Sequence, residues 1–289
     1  MSDVLEELVT LLTLEKIEEN LFRGQSQDLG WGLVYGGQVL GQALSAAVQT
    51  VPDDRFAHSL HAYFLRPGDV SKPIVYDVDR IRDGGSFTTR RVVAIQNGRP
   101  IFNMSASFQI EEEGFSHQEE SPDSPDPQTL ITDQDRIARF ADRLPAPLRD
   151  QALAERPFEL RPADPILDPV SPQKGPPRSM HWLKTTGELD NNPSLHRFLL
   201  AYASDFSFLT TSLRPHEVTW LTPGMQVASV DHAMWFHRPF RVDEWSLHAI
   251  ESPSASGARG FVRGKVYDAD GRLVASTAQE GLIRKHDTK

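Results

Sequence analysis

The chain carries the same two sequence signals twice, at almost one spacing. Tyr63-Phe64-Leu65-Arg66-Pro67 and Trp235-Phe236-His237-Arg238-Pro239 both read aromatic, Phe, any residue, Arg, Pro, and they lie 172 residues apart. Downstream, Asn97-Gly98-Arg99 and Asp270-Gly271-Arg272 lie 173 residues apart. Asn-Gly and Asp-Gly between β-rich runs signal type I′ hairpins. Such runs flank both: Arg90–Ile95 and Ile101–Phe108 in the first case, Arg259–Val266 and Leu273–Ala278 in the second. Ordered signals that recur at a fixed offset indicate two copies of one supersecondary unit. The fold problem therefore reduces to one α+β unit and the way its copies join.

Each copy places a helix ahead of its strands. Over Gly36–Val48, apolar residues at 39, 40, 43, 44, 47 and 48 follow helical spacing and most other positions are small, so this helix is expected to be buried on most sides. Its counterpart is expected over Leu195–Asp205. Between the copies, residues 111–180 hold 12 of the 21 prolines. Proline breaks helix interiors and removes sheet donors. The segment is expected to be a crossing linker with at most one short helix near 133–143. The expected organisation is thus a first domain over 1–110, a linker over 111–180 and a second domain over 181–289. A buried helix wrapped by a curved antiparallel sheet describes the hotdog fold; two copies give an α+β tandem double hotdog.

Composition excludes several functions. With no cysteine, the chain forms no disulfide, zinc-thiolate site or thiol nucleophile, and it suits a reducing compartment such as the cytoplasm. A net charge of −10 argues against nucleic acid as a partner. No apolar run approaches a membrane span, and the acidic start MSDVLEELVTLL does not read as a signal peptide. The final His286-Asp287-Thr288-Lys289 carries no peroxisomal or retention signal. No Walker or dinucleotide fingerprint occurs, so no nucleotide cofactor is expected. The pairs His58/His61 and His232/His237 are spaced to face opposite sides of a strand, so no metal is expected.

Several longer runs resemble the acyl-CoA thioesterase II family. They are Arg23-Gly24-Gln25-Ser26, Tyr35-Gly36-Gly37-Gln38-Val39, His58–Asp69, Asp231–Phe240 and Ser254–Phe261. The resemblance covers the chain from about its tenth residue to its end, thinning in the linker. It implies a double hotdog, hydrolysis of medium- to long-chain acyl-CoA by an activated water, and assembly into homodimers or homotetramers. It also implies three catalytic residues: Asp205 on the second buried helix, a hydroxyl at the start of a following strand, and Gln279 on the last strand. The family's Thr is replaced here by Ser229, which keeps the hydroxyl and loses the methyl that restricts its rotamer.

The chemistry fits these residue types. Thioester hydrolysis needs an aimed water, an acceptor for its proton and donors for the oxyanion. Asp205, among Phe198, Leu199, Leu200, Phe206 and Phe208, is the expected base, with its pKa raised by desolvation. Ser229 and Gln279 hold the water through neutral hydrogen bonds. Backbone N–H groups near Gly37 and Gln38, at a helix N-terminus, are the expected oxyanion donors. Competing classes fare worse. A serine hydrolase needs G-x-S-x-G, and Gly84-Gly85-Ser86-Phe87 breaks that pattern at Thr88. A hotdog hydratase needs a close Asp and His, but Asp231 and His232 are strand neighbours facing opposite ways. An acyl-CoA binding module without activity remains the third alternative.

Overall fold

The computed structural model describes residues 2–30, 32–144, 146–165 and 168–287. The last two residues of the C-terminal tetrapeptide lie outside them. The first copy runs α1 (Asp3–Leu12), β1 (Glu15–Glu18), β2 (Leu21–Gly24), α2 (Gly36–Val48), β3 (Arg55–Phe64), β4 (Ile74–Asp83), β5 (Phe87–Gln96) and β6 (Arg99–Ile110). There follow α3 (Asp133–Ala138), α4 (Ala146–Leu153) and β7 (Phe158–Pro162). The second copy runs β8 (Arg178–Thr185), α5 (Pro193–Ala203), β9 (Met225–Ser229), β10 (Asp231–Phe236), β11 (Ser246–Ser256), β12 (Arg259–Asp268) and β13 (Leu273–Lys285).

The strands form one large antiparallel sheet ordered β1-β2-β4-β5-β6-β3-β10-β13-β12-β11-β8-β7, with β9 also on β13. Read outward from its centre, β3-β6-β5-β4-β2 and β10-β13-β12-β11-β8 are the same path. The register repeats as well. Trp235 stands opposite Ser276 as Tyr63 stands opposite Asn103, and Ser229 opposite Gly281 as Ala57 opposite Phe108. The repeated Arg has one job in both copies: Arg66 Nη1 donates to the Pro100 carbonyl and Arg238 Nη1 to the Leu273 carbonyl, each at 2.7 Å. The two curved antiparallel sheets expected, each wrapping a central helix, join edge to edge where β3 and β10 pair, from Asp231–Tyr63 to Trp235–Ser59. Each strand would otherwise be an open edge with unpaired N–H and C=O groups.

Helix α2 occupies the range its spacing predicts and is buried from Gly37 to Ala47. It packs against α5 in antiparallel sense, Gly37 beside the Tyr202 carbonyl and Gly41 beside that of Phe198. Small residues let the two backbones approach, and one apolar core runs through both copies, joining Leu40, Leu44 and Met104 to Leu199, Leu200 and Met234. The N-terminus of α2 therefore lies at the C-terminus of α5.

The proline-rich segment holds more structure than expected: two short helices and strand β7. Its proline does not forbid this, because β7 is the outermost strand, pairs only with β8 and ends at Pro162. Residues ahead of it cross the second copy, where Gln118 accepts from the Leu273 N–H at 3.0 Å and Trp182 Nε1 donates to Ser124 Oγ at 3.0 Å. The two hairpins also differ. Asn97 and Gly98 both have positive φ, as a type I′ turn requires. At the second, Gly271 has positive φ and Asp270 does not; the Asp268 carboxylate accepts from the Asp270 and Arg272 N–H groups and shapes a longer turn.

Candidate active site

The site forms where these two helix ends meet. Helix α5 stops at Ala203 with Ser204 as its C-cap, so Asp205 sits just past the helix, in the turn, rather than on it. Gln279 lies on β13 and is fully buried. Along β13, Ala275–Ala278 pair with β10 and Gly281–Lys285 pair with β9, so Gln279 faces the break between those strands. Ser229 is the last residue of β9, not the first of a strand. The Gln279 Nε2 donates to Asp205 Oδ1 at 2.9 Å and to Ser229 Oγ at 2.8 Å. Asp205 and Ser229, far apart in sequence, thus converge on the Gln279 amide.

The first copy supplies the other wall. A Cβ on Gly36 would lie 2.7 Å from Asp205 Oδ2, and one on Gly37 would run into the Tyr202 carbonyl. The glycine pair is what allows the α2 N-terminus to reach the carboxylate. Gln38 behaves differently from its neighbour. Its N–H is taken by the Tyr35 carbonyl at 3.1 Å, and its buried amide spans the Gln27 N–H and the Gln25 carbonyl, both at 3.1 Å. It fastens the loop before α2.

Burial pushes the Asp205 carboxyl up to about 6, against hydrogen bonds from Gln279, the Gly37 N–H and Ser229 that favour its charged form. At neutral pH the group is ionised yet close to its titration point, which suits a general base. The Gln279 Oε1 is buried and has no partner among the described residues, an acceptor left over beside that carboxylate.

Tyr35 has no local signal that singles it out. Its hydroxyl donates across the copies to the Tyr202 carbonyl at 3.1 Å, and its ring stacks on Phe206 at 5.5 Å, beside Asp205. An aromatic before a glycine pair reads as core, and only the joining of the copies reveals this contact. Asp231 and His232 do not converge. The Asp231 carboxylate accepts from the Glu280 N–H, and His232 Nε2 meets Ser204 Oγ at 3.0 Å.

Known proteins are similar to this chain in sequence and in fold. A family model described as acyl-CoA thioesterase matches residues 148–282, and one described as acyl-CoA thioesterase N-terminal domain matches 26–109. Acyl-CoA thioesterase 2 of Haemophilus influenzae is 48% identical over 284 residues, covering 98% of this chain and 99% of that protein. Human acyl-coenzyme A thioesterase 8 is 41% identical, covering 96% of this chain and 88% of that one. Among solved structures, an acyl-CoA thioesterase II of Mycobacterium marinum superposes with a TM-score of 0.77 at 39% identity, over 97% of this chain and 99% of that one. A protein with a hot dog fold from Alicyclobacillus acidocaldarius superposes with a TM-score of 0.76 at 20% identity, over 97% and 99% of the chains. The chain belongs to the acyl-CoA thioesterase II family.

Proposed function

We propose that this enzyme hydrolyses medium- to long-chain acyl-CoA to a fatty acid and CoA, with Asp205 as the base that activates water. The observation that carries this reading is the convergence of Asp205 and Ser229 on the Gln279 amide at the α2 N-terminus. Asp205 takes a proton from water as its oxygen attacks the thioester carbonyl. Gln279 and Ser229 orient that water without competing for the proton. As Asp205 becomes neutral it accepts less strongly, and the Gly37 N–H turns from the carboxylate to the developing oxyanion. When the tetrahedral intermediate collapses, the C–S bond breaks and the proton passes from Asp205 to the departing thiolate. Gln38, with its N–H engaged, contributes by holding the loop.

In this reading the two copies are hotdog units fused in tandem, divided as 1–110 and 181–289. The repeated strand path and the likeness to a hot dog structure support it. The division also has a reason: the base and its partners come from one unit and the oxyanion donor from the other. Acyl length, assembly into homodimers or homotetramers, and a cytoplasmic setting follow from the family resemblance and the cysteine-free composition. Among the described residues no helix is long and apolar enough to cross a membrane.

The test is thiol release from acyl-CoA of graded chain length, with Asp205→Asn alongside. Turnover is expected to fall on the order of a hundredfold or more, the worth of a general base. Near-normal turnover in Asp205→Asn sinks the mechanism. Tight binding of palmitoyl-CoA without thiol release from the wild type would leave a binding module instead.

A further inference from the structure

We infer that Asp231 and His232 together position the catalytic pair from behind, the carboxylate fixing Gln279 and the imidazole fixing Asp205. The inference rests on the reading above, in which Asp205 and Gln279 do the chemistry.

The first hold is at the break between β9 and β10. A strand that changes partners leaves backbone groups unpaired, and buried ones are costly. Here the Val230 N–H donates to the Glu280 carbonyl at 3.0 Å, and the Glu280 N–H goes to Asp231 Oδ1 at 2.6 Å. The carboxylate stands in for the missing strand, with a short, charge-assisted bond. Glu280 is also tied by Arg259 Nε at 2.9 Å. The backbone beside Gln279 is thus fixed, although Gln279 itself faces a gap in the ladder.

The second hold is at the end of α5. Ser204 and His232 are each 1% exposed. The Ser204 hydroxyl has one proton, and it is used on the Ala201 carbonyl at 2.8 Å. His232 must therefore donate from Nε2, at 3.0 Å, which makes it the neutral Nε2–H tautomer. Its Nδ1 is then a bare acceptor, and it has no partner among the described residues. Burial lowers the imidazole pKa to about 3 and keeps it neutral. Ser204 immediately precedes Asp205, so this bond sets the direction in which the chain leaves the helix.

Adjacent strand residues point to opposite faces. That geometry prevents an Asp-His pair from serving one substrate as acid and base. It suits the same dipeptide to holding two elements on two sides. The tolerance is narrow, because a displacement of about 1 Å at a reacting group can cost roughly a hundredfold in rate.

The experiment compares Asp231→Ala with Asp231→Asn and His232→Leu with His232→Gln, reading kcat, KM and the pH profile of kcat on folded protein. Asn keeps an acceptor for the Glu280 N–H, and Gln keeps a donor near the Nε2 position. Both are expected within about threefold of wild type, while Asp231→Ala and His232→Leu lose about tenfold or more in kcat with KM little changed. In those two the acid limb moves to higher pH, because a loosened Gln279 bond no longer favours the ionised Asp205. Loss of kcat in Asp231→Asn as deep as in Asp231→Ala overturns the inference, since the carboxylate would then be moving protons. So does a lowered Tm with kcat and the acid limb in place. Should His232→Leu not fold, the Asp231 pair decides alone. Normal turnover in Asp205→Asn would remove the underlying reading, whereas an inactive Asp205→Asn beside normal Asp231→Ala and His232→Leu removes the clamp only.

Discussion

The two ends of the helix pair are built on one backbone plan and do different things. At the end proposed as catalytic, the α2 N-terminus meets Asp205, Ser229 and Gln279. At the opposite end, the strand register puts Ala57 where Ser229 stands, Ala106 where Gln279 stands and Phe108 where Gly281 stands. Arg197 of α5 closes that end, donating from Nε to the Ala57 carbonyl at 3.1 Å with its guanidinium 5.1 Å over the Phe56 ring. Nearby, Arg90 takes the place of Val262 and grips the end of α2, through Thr50 Oγ1 at 2.8 Å and the Thr50 carbonyl at 2.9 Å. Register and helix packing survive these exchanges, so the fold does not depend on the site's polar groups. One end keeps a carboxylate with a raised pKa and a buried amide oxygen without a donor. The other pairs the guanidinium groups of Arg90 and Arg197 with carbonyl and hydroxyl oxygens. Placing both copies in one chain frees one end to stabilise what the other end destabilises.

Copying the closed end onto the open one should break activity most. Gln279→Ala, which mimics Ala106, is expected to lower kcat on the order of a hundredfold, since water loses its orientation and Asp205 its partner. Stability should fall by about 1–3 kcal/mol, because the half-buried Asp205 and Ser229 lose the donor they share. Steady-state thiol release beside a urea melt checks both halves of this expectation; unaltered kcat would show that the difference between the ends is not catalytic.

The reverse change is expected to affect folding alone. Arg197→Ala removes a bond to the Ala57 carbonyl and cover from two aromatic rings, at a cost of about 2–3 kcal/mol. Turnover per folded molecule should stay at the wild-type level. A parallel fall in kcat would mean that the ends are coupled through the helices.

Much of this frame was legible in the chain. The repeat foretold the shared strand path, and small and apolar residues at helical spacing gave α2 its limits. The Asn97-Gly98 turn followed from its dipeptide. What could not be read was tertiary. Nothing local announces that β3 and β10 will pair, or that β9 will share β13 with β10 and leave Gln279 at a break. Asp205 and Gln279 were identified through the family resemblance, and Gln279 had no local signal at all. Tyr35 was missed because its partner, the Tyr202 carbonyl, belongs to the other copy.

Acid separates the copies in another way. The second copy buries His181, His196, His232 and His248, whereas His58 is partly buried and His61 exposed in the first. Burial lowers His181 to about 4 and His232 to about 3, and moves His196 and His248 the same way. The unfolded chain binds these protons near the ordinary histidine pKa of 6.5, and the folded chain does not. Their contribution is therefore present above pH 6.5 and is lost as pH falls from there toward 3. Asp205 has the opposite sign. Raised to about 6, it favours the fold when protonated and loses that contribution as pH rises from 3.8 through 6. Asp205→Asn should then gain in Tm over wild type at pH 8 and not at pH 4. Hydrogen exchange at pH 5 should lose protection first in β8, β10, β11 and α5, which carry the four histidines. Earlier loss in β3 to β6 would show that the burial of these rings does not govern acid unfolding.

The smallest effect sharpens the comparison at Ser229, whose counterpart Ala57 has no hydroxyl. A serine side chain samples three χ1 wells, and the Gln279 bond selects one. Threonine restricts that choice before the bond forms. At most, confining three equal wells to one is worth RT ln 3, about 0.65 kcal/mol, or roughly a threefold change. Ser229→Thr should therefore raise kcat by no more than about threefold, with Ser229→Ala falling well below wild type. A larger rise would mean that the methyl displaces something in the pocket, and a loss would mean that the serine's freedom is itself used during turnover.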